Sequence, residues 1–130
     1  MDKEKEASLL SPALLAYIGD SIFELKTREY FLEQGYRKLN TIHQQTVTLV
    51  NASSQAEALK MIEDKLNRRE KNIVRRGKNT DIGTVSKNAD IGEYRLSTGL
   101  EALFGYLYLA DKRERLNELW QEIIGGMSCE

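Results

Sequence analysis

The chain has 130 residues, 41% of them apolar and 30% charged, with a net charge of −1, an ordinary composition for a globular domain. It has no apolar run of the about 18 residues a membrane helix needs, and its start, Met1 to Glu6, lacks the apolar core of a secretion signal. The single cysteine, Cys129, has no partner for an internal disulfide and is expected to be an inert terminal thiol. These features predict one cytoplasmic domain over residues 1–130, with residues 1–10 as a flexible lead-in.

Ser11-Pro12 predicts a helix start, since Ser can cap free N–H groups and Pro fits the first turn. Leu14, Leu15, Ile18, Ile22 and Leu25 then recur at three- and four-residue steps, and Gly35 is the expected stop. Within this apolar helix Asp20 follows Gly19 directly. Glu24, one turn on, is four residues before Arg28 and is read as its ion-pair partner rather than as a second ligand. Asn40 or Thr41 is the expected cap of a second helix with Ile42, Leu49 and Val50 inward, and His43 is read as a surface or interface residue. Ser54-Gln55-Ala56-Glu57 reads as a capping box opening a helix with Ala58, Leu59, Ile62 and Leu66 on one face.

From Lys65 to Lys78 there are seven basic side chains (Lys65, Arg68, Arg69, Lys71, Arg75, Arg76, Lys78) against the single acid Glu70. In a chain of nearly neutral total charge, that asymmetry points to a localised phosphate-binding surface. Arg68-Arg69 and Arg75-Arg76 lie seven residues apart and so share a face, with Gly77 as the expected helix end. Residues 78–89, rich in Gly, Ser, Thr and Asn and containing Lys87, read as a loop beside that helix. Asp90 with Glu93 predicts the next helix start. Leu96, Leu100, Leu103, Phe104 and Leu107 form its core stripe, which carries Glu101. Leu116, Leu119, Trp120, Ile123 and Ile124 form a last helix, expected to stop at Gly125-Gly126. The fold class is all-α, a helical bundle.

Gly inside a helix costs roughly 0.5–1 kcal/mol relative to Ala. Gly19, Gly99 and Gly105, with Ala16 and Ala102, are best explained by helix backbones in close approach. If the helices bearing Asp20 and Glu101 cross there, the two carboxylates meet. Hard oxygen ligands of that kind suit Mg²⁺, and beside a basic surface they point to phosphodiester hydrolysis. The alternative is that Asp20 and Glu101 pair with Arg95, Lys26 or a helix N-terminus as structural groups.

Leu-Ala-Tyr-Ile-Gly-Asp-Ser-Ile-Phe-Glu-Leu at 15–25 resembles the signature helix of ribonuclease III catalytic domains. Thr-Gly-Leu-Glu-Ala-Leu-Phe-Gly-Tyr-Leu-Tyr-Leu at 98–109 resembles their second acidic helix. Arg75-Arg76-Gly77-Lys78-Asn79, Lys87-Asn88-Ala89-Asp90 and Tyr94-Arg95 before Ser97-Thr98-Gly99 are similar to the compact bacterial Mini-III branch, which has no double-stranded-RNA-binding domain. The resemblance implies a homodimeric, all-helical, single catalytic domain that cuts double-stranded RNA with Mg²⁺ and water. It implies Asp20 and Glu101 as catalytic, metal-binding carboxylates and Arg68, Arg69, Arg75, Arg76, Lys78, Asn79 and Lys87 as the RNA-binding set. It further implies a role in maturing precursor large-subunit ribosomal RNA, with a ribosomal protein able to present the substrate. Ala16 and Thr98 stand where the larger enzymes carry a glutamate and an aspartate, so two of the four usual carboxylates remain. A non-catalytic double-stranded-RNA-binding dimer is the main alternative. A helical nucleotide pyrophosphohydrolase is a third reading, and it leaves the basic surface unexplained.

Overall fold

The computed structural model describes residues 2–80 and 90–128. Among them are seven helices and one 3₁₀ turn, and no strand: α1 (Lys3–Leu9), α2 (Pro12–Glu33), α3 (Leu39–Leu49), α4 (Ala52–Ile62), the turn Glu63–Lys65, α5 (Arg68–Lys78), α6 (Ile91–Leu109) and α7 (Arg113–Ser128). No single helix among the described residues is long and apolar enough to cross a membrane.

The bundle is wrapped around α6, which packs against α1, α2, α4, α5 and α7. From Ser97 to Leu107 every residue of α6 but Glu101 is buried. An element surrounded in this way has no polar face, which is why its sequence is apolar almost all round. The core is filled by Phe23, Leu59, Ile62, Leu100, Phe104, Leu119 and Ile123. Phe23 lies 5.4 Å from the Phe104 ring and meets Trp120 edge-on at 5.5 Å.

Several expected ends are observed. Ser11 accepts from the Leu14 N–H with Pro12 at the first helical position, and Asp90 accepts from the Glu93 N–H. Gly35, at φ +102°, closes α2 in a Schellman turn, with Tyr36 N–H on Phe31 C=O and Gly35 N–H on Leu32 C=O. Others need correction. Asn40 and Thr41 lie inside the first turn of α3, whose N-cap is Lys38 with no side-chain hydrogen bond, and of its side chains only Thr46 is fully buried. Asn51, not Ser54, caps α4, and Leu66 lies beyond that helix after the 3₁₀ turn. Gly77 does not end α5. It is buried within the helix, where a β-carbon would stand 2.9 Å from both Gly99 Cα and Ala102 Cβ. Gly125-Gly126 does not stop α7, which continues to Ser128.

Residues 2–10 are not a loose lead-in either. Asp2 caps α1, Ala7 enters the core, and Arg76 donates to the carbonyls of Ser8 and Leu10 at 2.8 and 3.0 Å. Glu4 on α1 pairs with Arg69 and Lys112 and accepts from the Tyr106 hydroxyl. Burial and the Glu4 charge together push that phenol up to about 12.

Candidate active site

The two predicted acids are brought together by a reciprocal glycine crossing of α2 and α6. A β-carbon on Gly19 would overlap the Glu101 carbonyl and come within 2.8 Å of Gly105 N. One on Gly105 would overlap the Leu15 carbonyl. Only hydrogen fits at either place, so the two backbones touch and the residues beside them are placed by main-chain contact. Asp20, next to Gly19, is exposed at the cleft rim, while Glu101 is half-buried behind it.

The cleft holds about 560 Å³ and is lined by Asp20 and Glu101, by Ala16 and Tyr17 of α2, by Gln55 of α4, and by Thr80 beyond α5. Tyr94, Ser97 and Thr98 of α6 complete one wall. Burial pushes the Glu101 carboxyl up to about 8, helped by its hydrogen bond with Asp20 and by the Asp20 charge, and opposed by Gln55. Protonated, Glu101 donates to Asp20. Ionised, the two carboxylates repel each other, and among the described residues no basic side chain pairs with either. Arg95 and Lys26, considered as structural partners, do not take that place. Glu24 pairs with Arg28 at 3.4 Å and leaves the acid pair to itself. His43 is exposed on α3.

Two hard oxygen donors facing each other without a counter-ion fit a divalent cation such as Mg²⁺, which takes one or two protein carboxylates and keeps several waters. Among the described residues no cluster of three or more metal-ligating side chains exists.

The basic segment divides in two. Lys65 belongs to the 3₁₀ turn and pairs with Glu122 at 3.3 Å. Along α5 the buried positions are Glu70, Ile73, Val74 and Gly77. Opposite them Arg68, Lys71, Arg75 and Asn79 are exposed, and Lys78 flanks them half-buried with its stem against Gly99. This stripe runs about 16 Å by helical rise and ends near Thr80 at the cleft. Arg69 and Arg76 lie on the side turned to α1, Arg69 in its ion pair with Glu4 at 3.3 Å and Arg76 on the α1 carbonyls. Lys87 and Cys129 lie outside the described residues.

Three polar residues of structural or site importance were hidden in the sequence. Glu70, fully buried, closes a capping box with Asn67 and receives Arg115 bidentately at 2.9 Å, which ties α7 to α5. Burial alone would raise its pKa, but Arg115 and the Asn67 N–H more than offset that and hold it below the usual value. Gln55 and Ser97 are also buried, with the Ser97 hydroxyl donating to Gln55 Oε1 at 2.8 Å. The available signal was a polar residue on an apolar stripe: Gln55 shares a helical face with Ala58, Leu59 and Ile62, and Glu70 with Ile73, Val74 and Gly77.

The family model described as "Ribonuclease III domain" matches residues 13–112. The chain is 46% identical over 110 residues to Mini-ribonuclease 3 of Thermoanaerobacter sp., an alignment covering 85% of this chain and 78% of that protein. It is 45% identical over 112 residues to Mini-ribonuclease 3 of Symbiobacterium thermophilum, covering 86% of each. The crystal structure of protein FN1578 from Fusobacterium nucleatum superposes with a TM-score of 0.82 at 34% identity, covering 92% of this chain and 95% of that one.

Proposed function

This chain belongs to the ribonuclease III family and is an endoribonuclease, and from that premise we propose that it hydrolyses phosphodiester bonds of double-stranded RNA with Mg²⁺ held by Asp20 and Glu101. The observation that carries the reading is the carboxylate pair itself: two acids fixed by a glycine crossing, one half-buried, with no basic side chain beside them among the described residues. A magnesium ion bound there supplies a water of lowered pKa and offsets charge on the phosphodiester. Glu101 must lose its proton to serve, and its raised pKa makes that loss and cation binding one coupled event. Arg68, Lys71, Arg75, Lys78 and Asn79 supply phosphate contacts along the stripe that ends at the cleft, a geometry suited to a duplex recognised by shape and backbone. Lys87, a basic residue in the segment that follows this helix in the sequence, is included in this set. Arg69 and Arg76 are needed at home by α1.

We assign the acting unit as a homodimer. α2 buries Leu15, Gly19, Phe23, Thr27 and Phe31 on one side, yet its opposite side carries Leu14, Ile18, Leu25 and Leu32 at steps of four and seven. Leu14, Leu25 and Leu32 are 44%, 54% and 45% exposed, and Tyr17 beside the cleft is 75% exposed. A helix with two apolar faces, only one of them used, is suited to a two-fold partner, which would bring two clefts to one substrate. The biological substrate we propose, on family resemblance, is precursor large-subunit ribosomal RNA, with a ribosomal protein to present it.

The cleft wall also supports a second reading. Ala16 and Thr98 line it where, by the resemblance, the larger enzymes place carboxylates, so the reading to be tested against the nuclease is a dimer that binds duplex RNA without cutting it. Incubating the protein with long double-stranded RNA, with and without Mg²⁺, beside Asp20→Asn separates the two. Cleavage that needs Mg²⁺ and is abolished in the variant, with binding retained, supports the nuclease. Binding with no product at any Mg²⁺ concentration supports the second reading.

A further inference from the structure

Gln55 is 3% exposed and stands where α4 otherwise puts apolar side chains into the core. Its carbonyl is occupied: Ser97 Oγ, itself buried, donates to Gln55 Oε1 at 2.8 Å. Its amide nitrogen is buried and has no hydrogen-bond partner among the described residues. A buried donor without an acceptor is uncommon in a native fold and calls for a physical reason. The side chain lines the same cleft as Asp20 and Glu101. Turning the amide over would set its carbonyl oxygen against the carboxylate pair, so the orientation that Ser97 holds is the one that aims a donor at an anion.

We propose that Gln55 is a positioning residue for the acid pair: Ser97 clamps its carbonyl, and its amide N–H is held toward the Glu101 carboxyl group, fixing that group to face a divalent cation. A carboxylate has lone pairs enough on its two oxygens to meet both a cation and this amide, so the buried donor and the ion would hold Glu101 from two sides. The opposing effect of Gln55 on the upward shift of Glu101 agrees with this geometry. Outer partners of this kind typically change metal affinity by about 10- to 100-fold when removed. The role rests on reading the cleft as the magnesium site of a ribonuclease.

The test compares wild type, Gln55→Leu, Ser97→Ala and the double variant by two titrations with Mg²⁺: the rise in melting temperature of RNA-free protein, and the rate of cleavage of double-stranded RNA. Gln55→Leu should leave the melting temperature in chelator unchanged or higher, because an unpaired buried donor is removed. It should raise the Mg²⁺ concentration for half-maximal effect about tenfold in both titrations, with the rate at saturating Mg²⁺ much less affected. Ser97→Ala should show a smaller rise, and the double variant should be no worse than Gln55→Leu, since Ser97 acts through Gln55. An unchanged Mg²⁺ requirement in Gln55→Leu, a loss of maximal rate alone, or effects of the two variants that add in full would overturn the proposal. If Gln55→Leu does not fold, Gln55→Met carries the same comparison. Wild-type protein that Mg²⁺ stabilises but that cuts no RNA would remove the ribonuclease reading and leave the positioning role to the melting data. Wild-type protein that Mg²⁺ does not stabilise would overturn the positioning role itself.

Discussion

Replacing Glu101 by Gln should stabilise the metal-free protein at alkaline pH and leave it nearly unchanged at acid pH. The folded carboxyl titrates at about 8 against an ordinary value of 4.5. Between those values the folded chain holds a proton that the unfolded chain has released, so stability falls as pH rises through that window and is fully reduced above it. At about 1.4 kcal/mol per pKa unit the whole shift corresponds to roughly 5 kcal/mol, and coupling to Asp20 and partial solvent access bring the expected loss to about 2–5 kcal/mol. Gln at this position keeps the shape and supplies an N–H donor to Asp20, imitating the protonated acid at every pH. Urea denaturation in chelator from pH 5 to pH 9 is the assay. The two proteins should coincide near pH 5 and separate progressively, with the Gln variant ahead by about 2–5 kcal/mol at pH 9. Added Mg²⁺ should recover the wild type at pH 9 and do little for the variant. Parallel stability curves would falsify the claim that Glu101, half-buried beside Asp20, is short of positive charge.

Gly19→Ala should cost about 3 kcal/mol or more, because the added methyl meets the Glu101 backbone and no side chain can yield; a melting temperature equal to wild type would rule out the close crossing. Arg75→Ala should weaken RNA binding and reduce the slope of log affinity against log salt by about 0.7–0.9. Arg76→Ala should leave that slope unchanged and cost about 1–3 kcal/mol of stability, because the Ser8 and Leu10 carbonyls lose their donor. Arg115→Ala should cost about 3–5 kcal/mol by leaving Glu70 buried without its partner. Since Glu70 is held below its ordinary value of 4.5, the stability it contributes is present above that pH and lost as pH falls below it. Acid titration of Glu70→Gln should therefore show a shallower loss than wild type.

What the sequence makes legible is whatever has a local or pairwise cause. The Ser11 and Asp90 caps are decided within four residues. The meeting of Asp20 and Glu101 was readable because interior glycines on two apolar helices have few explanations other than contact. Gly77 misled because the same residue serves as a stop or as a packing surface, and the choice is made by Gly99 and Ala102 on another helix. Arg76 shows the same dependence on a distant element. Its charge was visible, but the carbonyls that occupy it belong to α1, which lies 66 to 68 residues earlier. Gln55 gains its meaning from Ser97, 42 residues on, and nothing in the α4 sequence alone marks it beyond its polarity.

The paired contact of Gly19 with α6 and of Gly105 with α2 also governs how the protein should fail on heating. A site built on loops loses its geometry while the core is still intact, so activity disappears before structure does. Here the distance between the two acids is set by the joint through which the longest helix grips the central one, and that joint opens only when the bundle does. Backbone amides flanking Gly19 and Gly105 should thus be among the slowest in the chain to exchange with deuterium. Thermal inactivation should coincide with loss of helicity, so for this fold a melting curve is also a curve of catalytic lifetime.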